Sequence, residues 1–267
     1  MNTKKINVLF LGDIFGLPGI EFVEKKLPEL KEKYQIDFII AQAENVSGRK
    51  GFEPKDYERL KKIGINAFTL GNHVWAKQDI SKIIDQNDLI RPANIDNKYP
   101  GAGIRFFEIN NQKIAILSFM GITFNPLLAP WEEEQANNFF DKFDELYNKY
   151  FADYWIIDFH AETTSEKAVF SLYVDGKADA LFGTHTHVQT NDARMLPKGT
   201  YFVSDAGMCG PRDCAIGSNF EEVYQKMRFD AKLPFKVSDN KCQLNGILFT
   251  LSKNPEEKSI QLINIWE

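Results

Sequence analysis

The sequence predicts an α/β protein, one domain built on a largely parallel sheet with helices packed against it. Three observations carry that prediction. Short apolar runs recur along the 267 residues, at 6–12, 38–43, 67–70, 114–119, 155–159, 180–183, 201–203, 247–251 and 260–263. Runs of this length, rich in Ile, Val and Phe and closed by glycine or polar residues, are the pattern of buried strands. Between the early runs lie stretches of helical spacing, and strands alternating with helices build βαβ units and hence a parallel sheet. Finally, no repeat, low-complexity tract or linker divides residues 1–267. A chain of this length can bury roughly three quarters of its unfolded surface around one core.

Each element has a local cause. Pro18 suits the first turn of a helix, and Phe22, Val23, Leu27 and Leu30 follow at helical spacing. Pro54 opens a second helix with Tyr57, Leu60 and Ile63 on one face. Residues 131–150 read as a longer amphipathic helix. Its stripe of Phe139, Phe140, Phe143, Leu146, Tyr147 and Tyr150 serves packing rather than a ligand. After Asn245, Lys253-Asn254-Pro255 predicts the turn of a β-hairpin.

Composition excludes several classes. The chain is 43% hydrophobic and 26% charged, near the average for globular domains, so disorder, collagen-like repeats and coiled coils are excluded. Its 32 cations against 37 acids give a net charge of −5. Only seven cations are Arg and the Lys are scattered, so there is no basic stripe for long nucleic acid. Cys209, Cys214 and Cys242 are too few for a disulfide framework, and the Cys209/Cys214 spacing has no second pair to complete a zinc site. Lys4 and Lys5 precede an apolar run shorter than a secretory core, and no stretch nears the ~18 apolar residues of a membrane span. A cytoplasmic protein with reduced thiols is expected.

Chemistry gathers where the predicted strands end. The first run ends in Gly12-Asp13, the second in Glu44-Asn45, the third in Gly71-Asn72-His73. The run holding Asp158 ends in His160, and the next ends in Gly183-Thr184-His185-Thr186-His187. Ligands of α/β sheets bind at the carboxyl ends of strands. All four histidines of the chain fall at such ends, with carboxylates and amides at sister positions, which marks a metal site. In extended backbone His185 and His187 would project to one side and reach two neighbouring metals. Asn72 and His73 would point apart, with Gly71 giving freedom to aim them, which suggests one ligand and one acid. Imidazole, carboxylate and amide oxygen suit Fe, Mn, Zn or Co.

These motifs resemble the calcineurin-like metallophosphoesterases, and within them the bacterial YmdB-like branch. The resemblance is carried by Leu11-Gly12-Asp13 with Gly16 and Pro18-Gly19, Ala43-Glu44-Asn45, Gly71-Asn72-His73-Val74-Trp75 and Arg91-Pro92-Ala93-Asn94. It continues through Asp158-Phe159-His160-Ala161-Glu162 with Thr164-Ser165-Glu166-Lys167, and the run from Gly183 to Thr190. It implies a four-layer α/β/β/α sandwich with two metals at the sheet edge. Carried over, Asp13, Glu44, Asn45 and His187 hold one metal. Glu44, Asn72, His160 and His185 hold the other, so Glu44 bridges. His73 is the implied proton donor. The wider superfamily has Asp-x-His where this chain has Asp13-Ile14-Phe15, and Asp where it has Glu44; both departures agree with the narrower branch. That branch is associated with iron, with manganese as the runner-up.

The resemblance further implies hydrolysis of cyclic nucleotides, 2′,3′-cyclic phosphates favoured, by attack of a metal-bridging hydroxide while His73 protonates the leaving oxygen. Asp158 is placed to accept the ring N–H of His160. Arg91, Asn94, Thr184 and Glu162 are candidates for shaping the substrate pocket, and residues 205–217 read as a loop near the site. The expected partner is a small cyclic nucleotide or phosphodiester, with neither long nucleic acid nor membrane; a homo-oligomer is compatible. A nuclease or a phosphoprotein phosphatase would use the same metals. A metal-dependent amidohydrolase would place His-x-His first rather than late. A regulatory binding protein would show broken ligands, and none is broken here.

Overall fold

The computed structural model describes residues 4–267. Residues 1–3 of the N-terminal stretch weighed above as a leader lie outside the described residues. The chain opens with β1 (Ile6–Leu11), β2 (Asp13–Ile14), α1 (Gly16–Tyr34), β3 (Phe38–Gln42), α2 (Pro54–Lys62), β4 (Ala67–Thr69) and β5 (Leu89–Ile90). It continues through β6 (Ile104–Ile109), β7 (Gln112–Met120), α3 (Phe139–Lys149), β8 (Tyr154–His160), α4 (Thr164–Val174) and β9 (Ala180–Thr184). It closes with β10 (Arg194–Met195), β11 (Tyr201–Val203), β12 (Met208–Pro211), α5 (Phe220–Phe229), β13 (Cys242–Leu251) and β14 (Ile260–Trp266).

Two sheets result. The first runs β2-β12-β13-β1-β3-β4-β5 with β14 on β13; the second runs β10-β11-β9-β8-β7-β6. β1, β3, β4 and β5 are parallel, as are β7, β8, β9 and β11. β13 joins β1 antiparallel, with Ile6 opposite Leu251, so the two ends of the chain share a ladder.

Alternation along each strand explains the layering. Ile6, Val8, Phe10, Phe38 and Ile40 of the first sheet meet Ile114, Ile116, Ile156 and Phe182 of the second. Leu9, Leu11, Ile39 and Ala41 face Ile20, Val23, Leu27, Tyr57 and Leu60 of α1 and α2. On the other side, Leu117, Phe119, Ile157 and Phe159 face Phe139, Phe143, Phe170 and Val174 of α3 and α4. The order is therefore helix, sheet, sheet, helix: the four-layer α/β/β/α sandwich that the resemblance implies. Strands buried on both faces read as continuous apolar runs.

Three helices differ from the sequence reading, and the segment 205–217, read as a loop, contains strand β12 because Met208–Pro211 pairs with β2 and β13. The helix read over 131–150 begins only at Phe139, because the Asn138 side chain caps it, accepting from the N–H groups of Phe140 and Asp141. Trp131 lies outside that helix and donates its indole N–H to the Asn72 carbonyl at 2.8 Å. Two helices, α4 and α5, had no counterpart in the sequence reading. α4 is capped by Thr163, but its apolar residues crowd together instead of forming a stripe.

Candidate active site

The parallel strands of both sheets end on one edge, and the loops after β1, β3, β4, β8 and β9 converge there. On the second sheet, Tyr154 and Ile156 point between the sheets, and by the same alternation so do Asp158 and His160. The close approach of the sheet ends leaves no room above Gly71. A Cβ there would lie 2.3 Å from the His160 ring and 2.6 Å from Glu44 Oε2.

Around His160 Nε2 sit Glu44 Oε1 at 2.9 Å, Asn72 Oδ1 at 3.0 Å and His185 Nδ1 at 3.0 Å. A second group lies beside it. Asp13 Oδ1 is 3.5 Å from His187 Nε2, and Asn45 Nδ2 lies 3.2 Å and 3.3 Å from those two atoms. Asn45 thus turns its amide nitrogen inward; presenting its oxygen there takes a half-turn of the amide.

The far nitrogen of each of these three imidazoles is engaged. His187 Nδ1 is 3.0 Å from the Ile216 carbonyl, and His185 Nε2 is 3.1 Å from Glu162 Oε2. His160 Nδ1 is 2.9 Å from Thr184 Oγ1, whose hydroxyl donates to Asp158 Oδ1 at 2.6 Å. The Gln42 amide Nε2 also lies 3.2 Å from His160 Nδ1, while its Oε1 accepts from the Glu44 N–H at 3.0 Å. Asp158 reaches His160 through Thr184, not directly as the sequence suggested, since Thr184 is the neighbour of His160 in the β8–β9 ladder. The near nitrogens face one another and the Glu44, Asp13 and Asn72 oxygens. Imidazole nitrogens packed this closely with carboxylate and amide oxygens, each ring held from behind, fit cations. Glu44, His160 and His185 form a group with metal-ligating spacing.

Electrostatics agree. Burial works against the Glu44 carboxylate, but His160 and His73 outweigh it and hold its pKa well below the usual range. Asp13, also buried, is held low chiefly by His187. Burial would lower the His160 imidazolium, yet Glu44 and Asp13 push it up to about 9. His185 falls to about 3 through burial and the charge of His160. Carboxylates that draw protons onto a buried imidazole would draw a metal cation as readily.

The backbone departs from the extended geometry expected at His185 and His187: φ is +99° and +64°. Both residues lie beyond the end of β9, in a left-handed turn. Strain of this kind persists where surrounding contacts over-determine it. Here the His185 N–H donates to Asp13 Oδ2 at 3.2 Å, and Thr186 donates through N and Oγ1 to buried Asp205.

The comparisons with known proteins meet this geometry. A family model described as YmdB-like protein matches residues 9–263. The chain belongs to the YmdB-like family. The 2′,3′-cyclic-nucleotide 2′-phosphodiesterase of Bacillus subtilis is 38% identical over 263 residues, covering 97% of this chain and 96% of the relative. A crystal structure of a Mycoplasma pneumoniae protein, described as a novel phosphatase, superposes with a TM-score of 0.92 at 40% identity. It covers 100% of this chain and 95% of that one. A Thermus thermophilus protein described as hypothetical gives a TM-score of 0.89 at 31% identity, over 98% of this chain and 100% of that one.

His73 stands beside the YmdB-like cluster rather than in it. Its backbone N–H donates to Glu44 Oε2 at 2.8 Å, and its Nδ1 is 3.3 Å from Asn72 Nδ2. Asn72 thus aims its oxygen at His160 and its nitrogen at His73. A cleft of 250 Å³ opens above the cluster, lined in part by His73, Glu162, His185 and His187.

Not every candidate reaches that cleft. Arg91, 6% exposed, spends its guanidinium on the carbonyls of Pro92, Tyr99 and Pro100. Asn94, fully buried, ties Met120 to Asn137. Both are scaffold, because their polar groups are consumed by backbone. Thr184 is buried behind His160, away from any substrate. Cys209 and Cys214 are free thiols, and burial raises both pKa values. Sequence reasoning passed over Phe15, Arg49, Lys50, Ile216 and Ser218, which line the cleft. Arg49 and Lys50 follow Glu44-Asn45 in the same loop, a proximity that could have flagged them.

Proposed function

We propose that residues 1–267 form one metallophosphoesterase domain that hydrolyses phosphodiesters, with 2′,3′-cyclic nucleotides favoured. One observation carries the reading: three imidazoles with tied-back far nitrogens meet Asp13, Glu44 and Asn72, and of this cluster Glu44, His185 and His187 line a cleft sized for a small ligand. Family membership supports the enzyme class, and the activity named for the Bacillus relative supports the cyclic ester.

In this reading Asp13, Asn45, His187 and Glu44 hold one ion. Glu44, Asn72, His160 and His185 hold the other. Iron is favoured and manganese second, as the resemblance implies; the nitrogen and oxygen donors, without thiolate, are compatible with either. When bound, the pair supplies Lewis acidity to the phosphoryl oxygens and to a water. Asp13 and Glu44 carry the negative charge that retains the cations. His73 protonates the departing alkoxide: Asn72 occupies its Nδ1, which leaves Nε2 as the donor. Burial lowers the His73 pKa, Glu44 opposes that, and an anionic substrate in the cleft restores the proton. A cytoplasmic location fits the three unpaired cysteines; among the described residues no helix is long and apolar enough to cross a membrane.

The test compares 2′,3′- and 3′,5′-cyclic nucleotides with bis-nitrophenyl phosphate on iron- or manganese-loaded protein. The 2′,3′-cyclic ester should give the highest kcat/KM. Two metals per chain with no turnover of any diester would instead make the protein a binding module.

A further inference from the structure

Beside the catalytic cleft runs an open groove of 540 Å³. Of the nine residues lining it, four are cations (Arg49, Lys50, Lys77 and Lys236) and none is a carboxylate, in a chain whose net charge is −5. Groove and cleft share Arg49 and Lys50 as lining, so the two adjoin. Lys50 and Lys77 make no ion pair among the described residues; Lys236 is 3.3 Å from Glu222, with a side chain 70% exposed and free to swing. The groove also has an aromatic element. The Arg49 guanidinium lies 5.1 Å from the centre of the Phe235 ring, its Nε donating to the Phe235 carbonyl at 3.1 Å. That bond holds the guanidinium plane in place. Cations that track a backbone, next to an aromatic or guanidinium face, are how proteins take single-stranded nucleic acid. A free cyclic mononucleotide has one phosphate, which the catalytic cleft already accommodates, and would leave this groove unused.

We infer that the groove binds the phosphates upstream of the reacting end, so that the preferred substrate is a short RNA strand ending in a 2′,3′-cyclic phosphate. This rests on the phosphodiesterase reading above and extends it. The terminal ribose and its cyclic ester occupy the cleft. The 5′-ward diester passes Lys50 and Arg49 toward Lys77 and Lys236. The groove's 540 Å³ limits the strand to a few nucleotides.

The test uses the full-length, metal-loaded protein and its Lys77→Ala/Lys236→Ala variant. Two quantities are measured. One is kcat/KM for a trinucleotide ending in a 2′,3′-cyclic phosphate, divided by that for the cyclic mononucleotide. The other is the salt dependence of binding of a fluorescent trinucleotide 3′-phosphate, which cannot be turned over as a diester at that end. The wild-type ratio should be about tenfold, as two exposed charge contacts would give, and fall toward one in the variant. The slope of log Kd against log salt should become shallower by about 1.4, or ~0.7 per cation removed. A wild-type ratio near one, or a ratio and slope untouched by the variant, overturns the inference. So does a phosphoserine peptide of equal charge binding as tightly as the trinucleotide. If no diester is hydrolysed yet trinucleotide binding weakens in the variant, the phosphodiesterase reading fails while the groove stands. The Lys77 stem packs on Gly51, so Lys236→Ala alone serves as the second variant, with half the change in slope.

Discussion

Three histidines at the sheet edge differ in what holds the far ring nitrogen, and each should respond differently to substitution. His160 depends on a hydroxyl: Thr184 Oγ1 lies against Nδ1 and donates a hydrogen bond to Asp158, whose carboxyl burial raises to about 7. Thr184→Val keeps the shape and deletes that link. Metal affinity should fall by about 10–100-fold with the fold intact, read by calorimetric titration and circular dichroism. Glu44 touches both His160 and the His73 amide, so Glu44→Gln should lose both metals by elemental analysis. Full occupancy in that variant would remove the bridging role. His73→Ala should keep two metals and lose about 10²–10⁴ in turnover of cyclic nucleotides. For nitrophenyl esters, whose leaving groups need no proton, the loss should be much smaller. A stripped metal site in that variant would make His73 a ligand.

The turn after β9 is where one element controls the site. Left-handed backbone at His185 and His187 is held from behind by Asp205, which accepts from Thr186 and from Lys167 Nζ at 2.8 Å. Lys167 and Asp205 are 1% and 2% exposed in their side chains. Lys167→Met would leave the Asp205 charge buried without its partner, a loss of about 3–5 kcal/mol in stability. Urea denaturation measures it, and a change below about 1 kcal/mol would show that Thr186 and Gly207 satisfy Asp205 without the lysine. At α3, Asn138→Ala should cost about 1 kcal/mol by the loss of its cap, without altering metal content.

At the scale of the molecule, the two sheets meet in one apolar layer and each carries helices on its outer face, so the site hangs from strand ends of both. Asp13, Glu44, Asn45 and Asn72 come from the first sheet, His160, His185 and His187 from the second. Cations gripped by both should tie the sheets together. Metal at about 100 times its Kd adds about 2.7 kcal/mol to stability. At about 2–4 °C per kcal/mol for a chain of this size, Tm should rise by roughly 5–10 °C. Scanning calorimetry before and after chelation tests this, and an unchanged Tm would mean that the two halves of the site do not share ions.

Much of this was legible in the letters because it is local. Strands buried on both faces must be apolar throughout, and the residues ending them are fixed by chain adjacency, so Asp13, Glu44, Asn72, His73, His160, His185 and His187 could be picked out one strand at a time. The edge strand β6 is half-buried and sent no such signal. Contacts between distant segments were not legible. Thr184 sits beside His160 because β8 and β9 pair in one register. Ile216 reaches His187 across 29 residues, and Arg49 stacks on Phe235 across 186. Arg91 and Asn94 looked like pocket residues until their partners proved to be backbone carbonyls. Adjacency along a chain names the groups that can do chemistry; packing between chain-distant elements chooses which face a cleft, which support it from behind, and which are spent on holding loops.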